Sequence, residues 1–123
     1  MLAGYGAGDV VDRLSILSLK IFHKGAVRAH VKEHAALAAD PKLSTFGSAA
    51  RGNRERRAAA FALCAVNGEL WGHEDQIRAF REATESSSAR QPDPYDVAKV
   101  AMAIQALNDR RQELVAQLNG AVS

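Results

Sequence analysis

Apolar side chains recur along most of the chain at the three- and four-residue spacing of an α-helix, and no stretch alternates polar and apolar residues as a strand does. In the first segment this spacing is shown by Val10, Leu14, Leu17 and Ile21. The pattern predicts helices over residues 10–24, 26–39, 54–85 and 94–119. The sequence therefore predicts an all-α fold, an antiparallel helical bundle of three long helices plus one shorter helical piece.

Glycine, proline and capping residues mark where these helices begin and end. Asp9 can cap the first helix, and Gly25 interrupts the chain before the second. Pro41 stops the second helix, because proline disfavours the helical conformation in the residue before it. Asp93 as N-cap and Pro94 at the first helical position begin the fourth helix. We expect a single domain over residues 1–123, with a flexible N-terminal arm at 1–8 and a loop at 40–53.

Length and composition exclude several classes of protein. A chain of 123 residues can bury one core without disulfides or a structural metal, and its single cysteine, Cys64, lies in an apolar run where a buried thiol is expected. The formal net charge of +2 is too small to predict a nucleic-acid partner. No apolar stretch reaches the roughly 20 residues that cross a bilayer, and the first residues lack the pattern of a secretory signal. We expect a cytoplasmic protein with no cofactor and no membrane or nucleic-acid partner.

Polar side chains of the third predicted helix occupy positions where apolar ones are expected. At about 100° per residue, Glu74 falls within about 40° of the core-facing direction, and Asn67 and Arg78 lie just beyond it. Trp71 flanks the three polar residues. We expect these polar groups to be partly buried, and buried charges persist only when they are paired and hydrogen-bonded.

The fourth predicted helix supplies a partner for them. Arg111 sits near the middle of its apolar stripe, and Asn108 lies beside that stripe. We hypothesise that Arg111 meets Glu74 across the helix interface, a planar guanidinium against a carboxylate. The amides of Asn67 and Asn108 complete the hydrogen bonds of this polar network.

Three further residues can extend the polar network. Asp75 and Arg78 follow Glu74 on the same helix. Asp12 joins from the first helix in preference to Arg13, because the two side chains point about 100° apart and only one can face the core. The polar network either only fixes the register of the helices or lines a small polar pocket with an aromatic wall.

Three segments carry a resemblance to a known family. They are GDVVDRLSILSLKI (8–21), VNGELWGHEDQIR (66–78) and LNDRRQEL (107–114). They resemble the signatures of a family of small bacterial helical proteins known only as a domain of unknown function, which carry an acidic-basic pair in the first helix, here Asp12-Arg13. The other signatures are Asn-x-x-x-Trp-x-x-Glu-Asp-x-x-Arg and Asn-Asp-x-Arg. The resemblance covers most of the chain and implies no reaction or ligand.

A pair of histidines gives a weak metal motif. His30 and His34 frame Glu33 in the H-x-x-E-H pattern of one metallopeptidase class. Such enzymes need a third protein ligand and a larger substrate chamber, and these histidines fall on a short helix rich in charge. We therefore expect no metal site, with His30 and His34 as the only candidates.

The function that the sequence favours is that of a binding or assembly module. In this interpretation the polar network is structural and the protein is non-catalytic. The alternative is a protein or enzyme that binds an anionic or sugar-like metabolite in the same polar pocket. We also expect a homodimer, since a helix of some 30 residues spans about 45 Å and leaves apolar surface uncovered.

Overall fold

The computed structural model describes residues 6–47, 53–86 and 90–120, and these three segments contain helices and no strand. A 3₁₀ helix, Pro41–Gly47, lies between the second and third of four α-helices. The α-helices are α1 (Ala7–Lys24), α2 (Arg28–Ala38), α3 (Asn53–Glu85) and α4 (Pro94–Leu118). The predicted all-α bundle of three long helices and one shorter piece is confirmed.

Helix α1 begins earlier than the sequence predicts. Ala7 is its first residue and Gly8 is buried within it, so the predicted arm is wrong for residues 6–8, while residues 1–5 lie outside the described segments. Asp9 is not the N-cap, and its carboxylate instead accepts a hydrogen bond from the Gly6 amide at 2.8 Å. The end of α1 is as predicted, because Gly25 has φ +91°, which residues with a Cβ rarely adopt.

The start of α4 is also as predicted, whereas the loop before α3 is corrected in part. Oδ1 of Asp93 accepts a hydrogen bond from the Tyr95 amide at 2.8 Å, and Pro94 is the first helical residue. Within the predicted loop at 40–53, a 3₁₀ helix occupies 41–47, as is common in helix connections. Asn53 is the first residue of α3, and residues 48–52 lie outside the described segments.

Helices α3 and α4 form an antiparallel pair against which α1 packs. The start of α3 meets the end of α4, where Nη2 of Arg56 donates a hydrogen bond to the Leu118 carbonyl oxygen at 3.0 Å. Helix α2 packs on α1, and an ion pair of 2.8 Å joins Glu33 to Arg13 there. Because α1 contacts the other three α-helices, it holds the central position in the bundle.

The buried core occupies only one end of the α3–α4 pair. Its members are Ala59, Leu63, Val66, Leu70, Leu114 and Leu118. No residue of α3 after Leu70 and no residue of α4 before Leu114 is buried. In α3, residues 71–85 therefore form about 22 Å of helix on which the apolar side chains are at best partly buried by the described chain.

Candidate functional site

The centre of the site is a bidentate ion pair between α1 and α4. Nε of Arg111 donates to Oδ1 of Asp12 at 2.8 Å, and Nη2 donates to Oδ2 at 2.6 Å. The Asp12 side chain is 16% exposed and that of Arg111 33%, so both charges are largely removed from water. Two parallel charge-assisted bonds fix both distance and orientation, which makes this pair the strongest polar contact between α1 and α4.

Asn67 of α3 connects the ion pair to the third helix. Its buried amide nitrogen donates to Oδ1 of Asp12 at 2.9 Å and lies 3.3 Å from the Ser15 hydroxyl. Asp12, Ser15, Asn67 and Arg111 are called the polar cluster below. Ser15 was missed by the sequence reasoning, although its position three residues after Asp12 places both on one side of α1.

Asp12 raises the pKa of the Arg111 guanidinium above its ordinary value, chiefly through the hydrogen bonds. Partial burial opposes this shift, and the charges of Asp12 and, to a lesser degree, Glu74 add to it. The guanidinium is therefore always charged, and its hydrogen bonds go to a carboxylate of α1 and not to the predicted partner on α3.

The predicted contact between Glu74 and Arg111 is wrong. Glu74 is exposed, because it lies beyond Leu70, where the buried core of α3 has ended. Asp75 and Arg78 are also outside the polar cluster, and they form an exposed ion pair of 2.8 Å with each other. Asn67 and Asp12 lie in the polar cluster as predicted, while the acidic group that faces Arg111 belongs to α1.

Trp71 lies in a separate aromatic contact at the end of α1. Its ring stacks on His23 with centroids 5.0 Å apart and planes 13° apart, and Nζ of Lys24 lies 5.9 Å from the ring centre. Both partners belong to the last turn of α1. The Trp71 ring therefore packs against the end of α1 and does not line a pocket with Arg111.

An open groove of about 460 Å³ runs along the outer side of the ion pair. Asp12, Asn108, Arg111, Gln112 and Asn119 supply its polar lining. Within the described segments, Nη1 of Arg111 and the side-chain amide groups of Asn108 and Gln112 have no hydrogen-bond partner. The groove therefore presents unused donors and acceptors beside a charge that Asp12 already neutralises.

Asn119 closes the groove at the first turn of α1. Its Oδ1 accepts a hydrogen bond from the Gly8 amide at 2.7 Å, and its Nδ2 donates to Asp9 at 3.0 Å. Asn119 follows the last residue of α4, and the sequence reasoning treated it only as a helix end. The first backbone N–H groups of every helix have no partner within the helix. The Asn119 side chain accepts a hydrogen bond from one of these groups at the start of α1.

The histidine motif lies on α2, and its Glu33 and His34 contact side chains of α1. Nε2 of His34 lies 3.1 Å from the Ser18 hydroxyl, and Glu33 pairs with Arg13. Across residues 6–47, 53–86 and 90–120, no three His, Cys, Asp or Glu side chains come close enough together to hold a metal ion.

Cys64 is exposed, which corrects the prediction that its thiol is buried. It lies on the side of α3 that faces a groove between α1 and α2, where neither helix covers it. An apolar run in the sequence cannot distinguish the covered side of a helix from an uncovered one.

The Arg13–Glu33 pair gives stability a specific pH dependence. The Arg13 hydrogen bond lowers the pKa of Glu33 below its ordinary 4.5, so the folded protein holds this carboxylate ionised more strongly than the unfolded chain does. The pair is partly exposed, and we expect Glu33→Gln to cost at most about 1 kcal/mol at neutral pH. That cost should disappear as the pH falls below 4.5 and then through the lowered pKa of Glu33. Urea unfolding of the wild-type and Glu33→Gln proteins over a pH series measures this change. A cost that stays constant down to pH 3 would contradict the assignment.

Comparisons with known proteins leave the geometry as the basis for interpreting the site. A scan against protein-family models, a search of curated proteins and a search of solved structures each found no match. In the described segments, no helix combines the length and the apolar character that crossing a membrane requires.

Proposed function

We propose that the chain is a cytoplasmic, non-catalytic assembly module of the small bacterial helical family that it resembles. The observation that carries the proposal is the uneven core, since α3 buries no residue after Leu70 and α4 none before Leu114. In this proposal the polar cluster holds α1 in register, because Asp12 and Arg111 use their charges on each other. The outer halves of α3 and α4 then present their exposed surface to a partner.

A second copy of the chain suits this surface. Tyr95 is 73% exposed and Met102 is 71% exposed, and a separation of seven positions places both on one face of α4. Ala98 and Ala106 lie on the same face and are also exposed. Two α4 helices that cross antiparallel about Met102 would set Ala98 opposite Ala106 of the other copy, where small side chains permit close approach. A two-fold axis at Met102 makes this a closed interface.

Light scattering of the purified chain tests the proposal. We expect a mass of twice 13.2 kDa. Met102→Lys should return the mass to one chain, because it places a charge on the two-fold axis in a desolvated contact. Ala101→Lys is the matched control, since Ala101 is exposed on α4 about 100° from Met102 and should leave the dimer intact. A wild-type chain that remains monomeric at high concentration would refute dimeric assembly.

The groove beside Arg111 supports the alternative, a small anionic or sugar-like ligand. The unused donors of Arg111, Asn108 and Gln112 could bind hydroxyl or carboxylate groups. A thermal-shift screen with phosphorylated sugars, nucleotides and divalent metals checks this alternative, because a ligand that binds only the folded state raises Tm. A shift that Asn108→Leu abolishes would establish the groove as the binding site, and no shift with any compound would leave assembly as the function.

A further inference from the structure

We propose that a second groove, between α1, α2 and α3, binds an aliphatic carboxylate such as a medium-chain fatty acid. The groove has a volume of about 440 Å³, and its lining includes Leu14, Leu19, Ala38, Ser18, His34 and Cys64. It is separate from the groove beside Arg111, which lies along α4. The proposal goes beyond assembly and does not depend on it.

The composition of this second groove selects an aliphatic ligand with one small polar group. Its lining is mostly apolar, supplied by Leu14, Leu19 and Ala38. The Ser18 hydroxyl and Nε2 of His34, 3.1 Å apart, form a polar pair on its wall. Among residues 6–47, 53–86 and 90–120, no Asp, Glu, Lys or Arg side chain lines it. A ligand with several charges would therefore be desolvated there without compensation, whereas a hydrocarbon chain with a single oxygen-bearing head group is matched.

The charge of the surrounding helices favours a carboxylate over an amine as that head group. From residue 14 to residue 32 the chain contains no Asp or Glu. The cations in this stretch are Lys20, Lys24, Arg28 and Lys32. They lie on the second half of α1 and the first half of α2, the two helices that carry Ser18 and His34. Glu33, the residue before His34, is paired with Arg13, so these cations dominate the local field and attract an anion to the polar pair.

The size of the second groove argues against a protein partner as its occupant. Small-molecule pockets measure about 300–1,000 Å³, and the groove falls within that range. A stable protein interface needs about 800 Å² from each partner, far more than eight lining residues in a cleft between helices offer. The exposed surface of α4 is the larger candidate for such a contact.

Cys64 provides a reporter for the experiment because it is the only cysteine in the chain and lies in the groove. We would measure the rate of its alkylation by N-ethylmaleimide with and without dodecanoate below the micellar concentration. Saturating dodecanoate should slow alkylation about tenfold or more. Decanoate should bind more weakly, by up to about fifteenfold, because each buried CH₂ contributes about fourfold in affinity.

Two tryptophan variants make the test specific. Ala38→Trp fills the groove from α2 and should abolish protection by dodecanoate, while Ala36→Trp, exposed on the same helix and outside the groove, should keep it. Protection should also persist in monomeric Met102→Lys, so that failure of the dimer and failure of this site can be told apart. The proposal is overturned if dodecanoate leaves the alkylation rate unchanged, if both tryptophan variants behave alike, or if protection follows protein concentration, as coverage by a second copy would produce.

Discussion

Replacing Asp12 by alanine should destabilise the protein by about 2–3 kcal/mol. The substitution leaves the Arg111 guanidinium in a largely covered position without its carboxylate, and it removes an acceptor from the buried Asn67 amide. Breaking a fully buried pair costs about 3–5 kcal/mol, and the partial exposure of Arg111 reduces that cost. Urea unfolding measured at neutral pH, with the m value checked for constancy, gives the change directly.

The exposed pair of Asp75 and Arg78 provides the matched control. Its N–O distance of 2.8 Å equals the longer of the two Asp12–Arg111 distances, but both side chains are about half exposed. Asp75→Ala should therefore cost less than about 1 kcal/mol. Equal losses from Asp12→Ala and Asp75→Ala would show that the polar cluster has no more stabilising effect than a surface ion pair.

The double variant separates structural and specific roles of the pair. Asp12→Leu with Arg111→Met removes both charges, and apolar replacements of buried ion pairs are often neutral or stabilising. We expect the double variant to lose less stability than Asp12→Ala alone. A loss of about 1 kcal/mol should remain, because the Asn67 hydrogen bond is still missing. A double variant that is stable but exchanges α1 amide protons faster would show that the pair sets the register of α1. A cost equal to the sum of the single variants would exclude coupling between Asp12 and Arg111.

The sequence predicts the helices well because their signals are local. Asp93 and Pro94 specify the start of α4 by hydrogen bonding and by a fixed φ. Gly25 ends α1 because it adopts a positive φ. The prediction that only one of Asp12 and Arg13 faces the core also uses a local signal, because the two side chains point in different directions from one helix. These predictions need no knowledge of which helices are neighbours.

The partner of Arg111 could not be predicted in the same way. Helical periodicity gives the direction of Glu74 on α3 but not how far the core extends along that helix. The core ends at Leu70, so a core-facing direction at position 74 leads to water. The carboxylate that reaches Arg111 comes from α1, and the antiparallel contact of α1 with α4 is a tertiary fact that residue spacing does not contain.

That antiparallel contact depends on a close approach at Gly8. A Cβ added to Gly8 would lie far inside contact distance of the Val115 carbonyl oxygen and 2.9 Å from Oδ1 of Asn119. The Val115 oxygen belongs to the backbone of α4, so α1 itself must move away. In an ordinary helix, glycine to alanine is favourable by about 0.5–1 kcal/mol. We expect Gly8→Ala to have the opposite sign and to destabilise by about 2–3 kcal/mol, as overpacked contacts do.

Gly72→Ala is the control that fixes the sign. Gly72 lies in the middle of α3, and a Cβ there would meet nothing within 4 Å, so this substitution should stabilise the protein by about 0.5–1 kcal/mol. Thermal and urea unfolding of the two variants should shift in opposite directions. Stabilisation by both would mean that α1 and α4 have room at Gly8.

Gly8 and Asp12 lie one turn apart on α1, so the close approach and the ion pair should be coupled. If the contact at Gly8 positions α1 so that Asp12 reaches Arg111, Gly8→Ala already weakens the pair, and a later loss of Asp12 costs less. The combined Gly8→Ala and Asp12→Ala variant should therefore be more stable than the sum of the single losses by about 1 kcal/mol. Strict additivity would show that the glycine serves only packing and that Asp12 finds Arg111 without it.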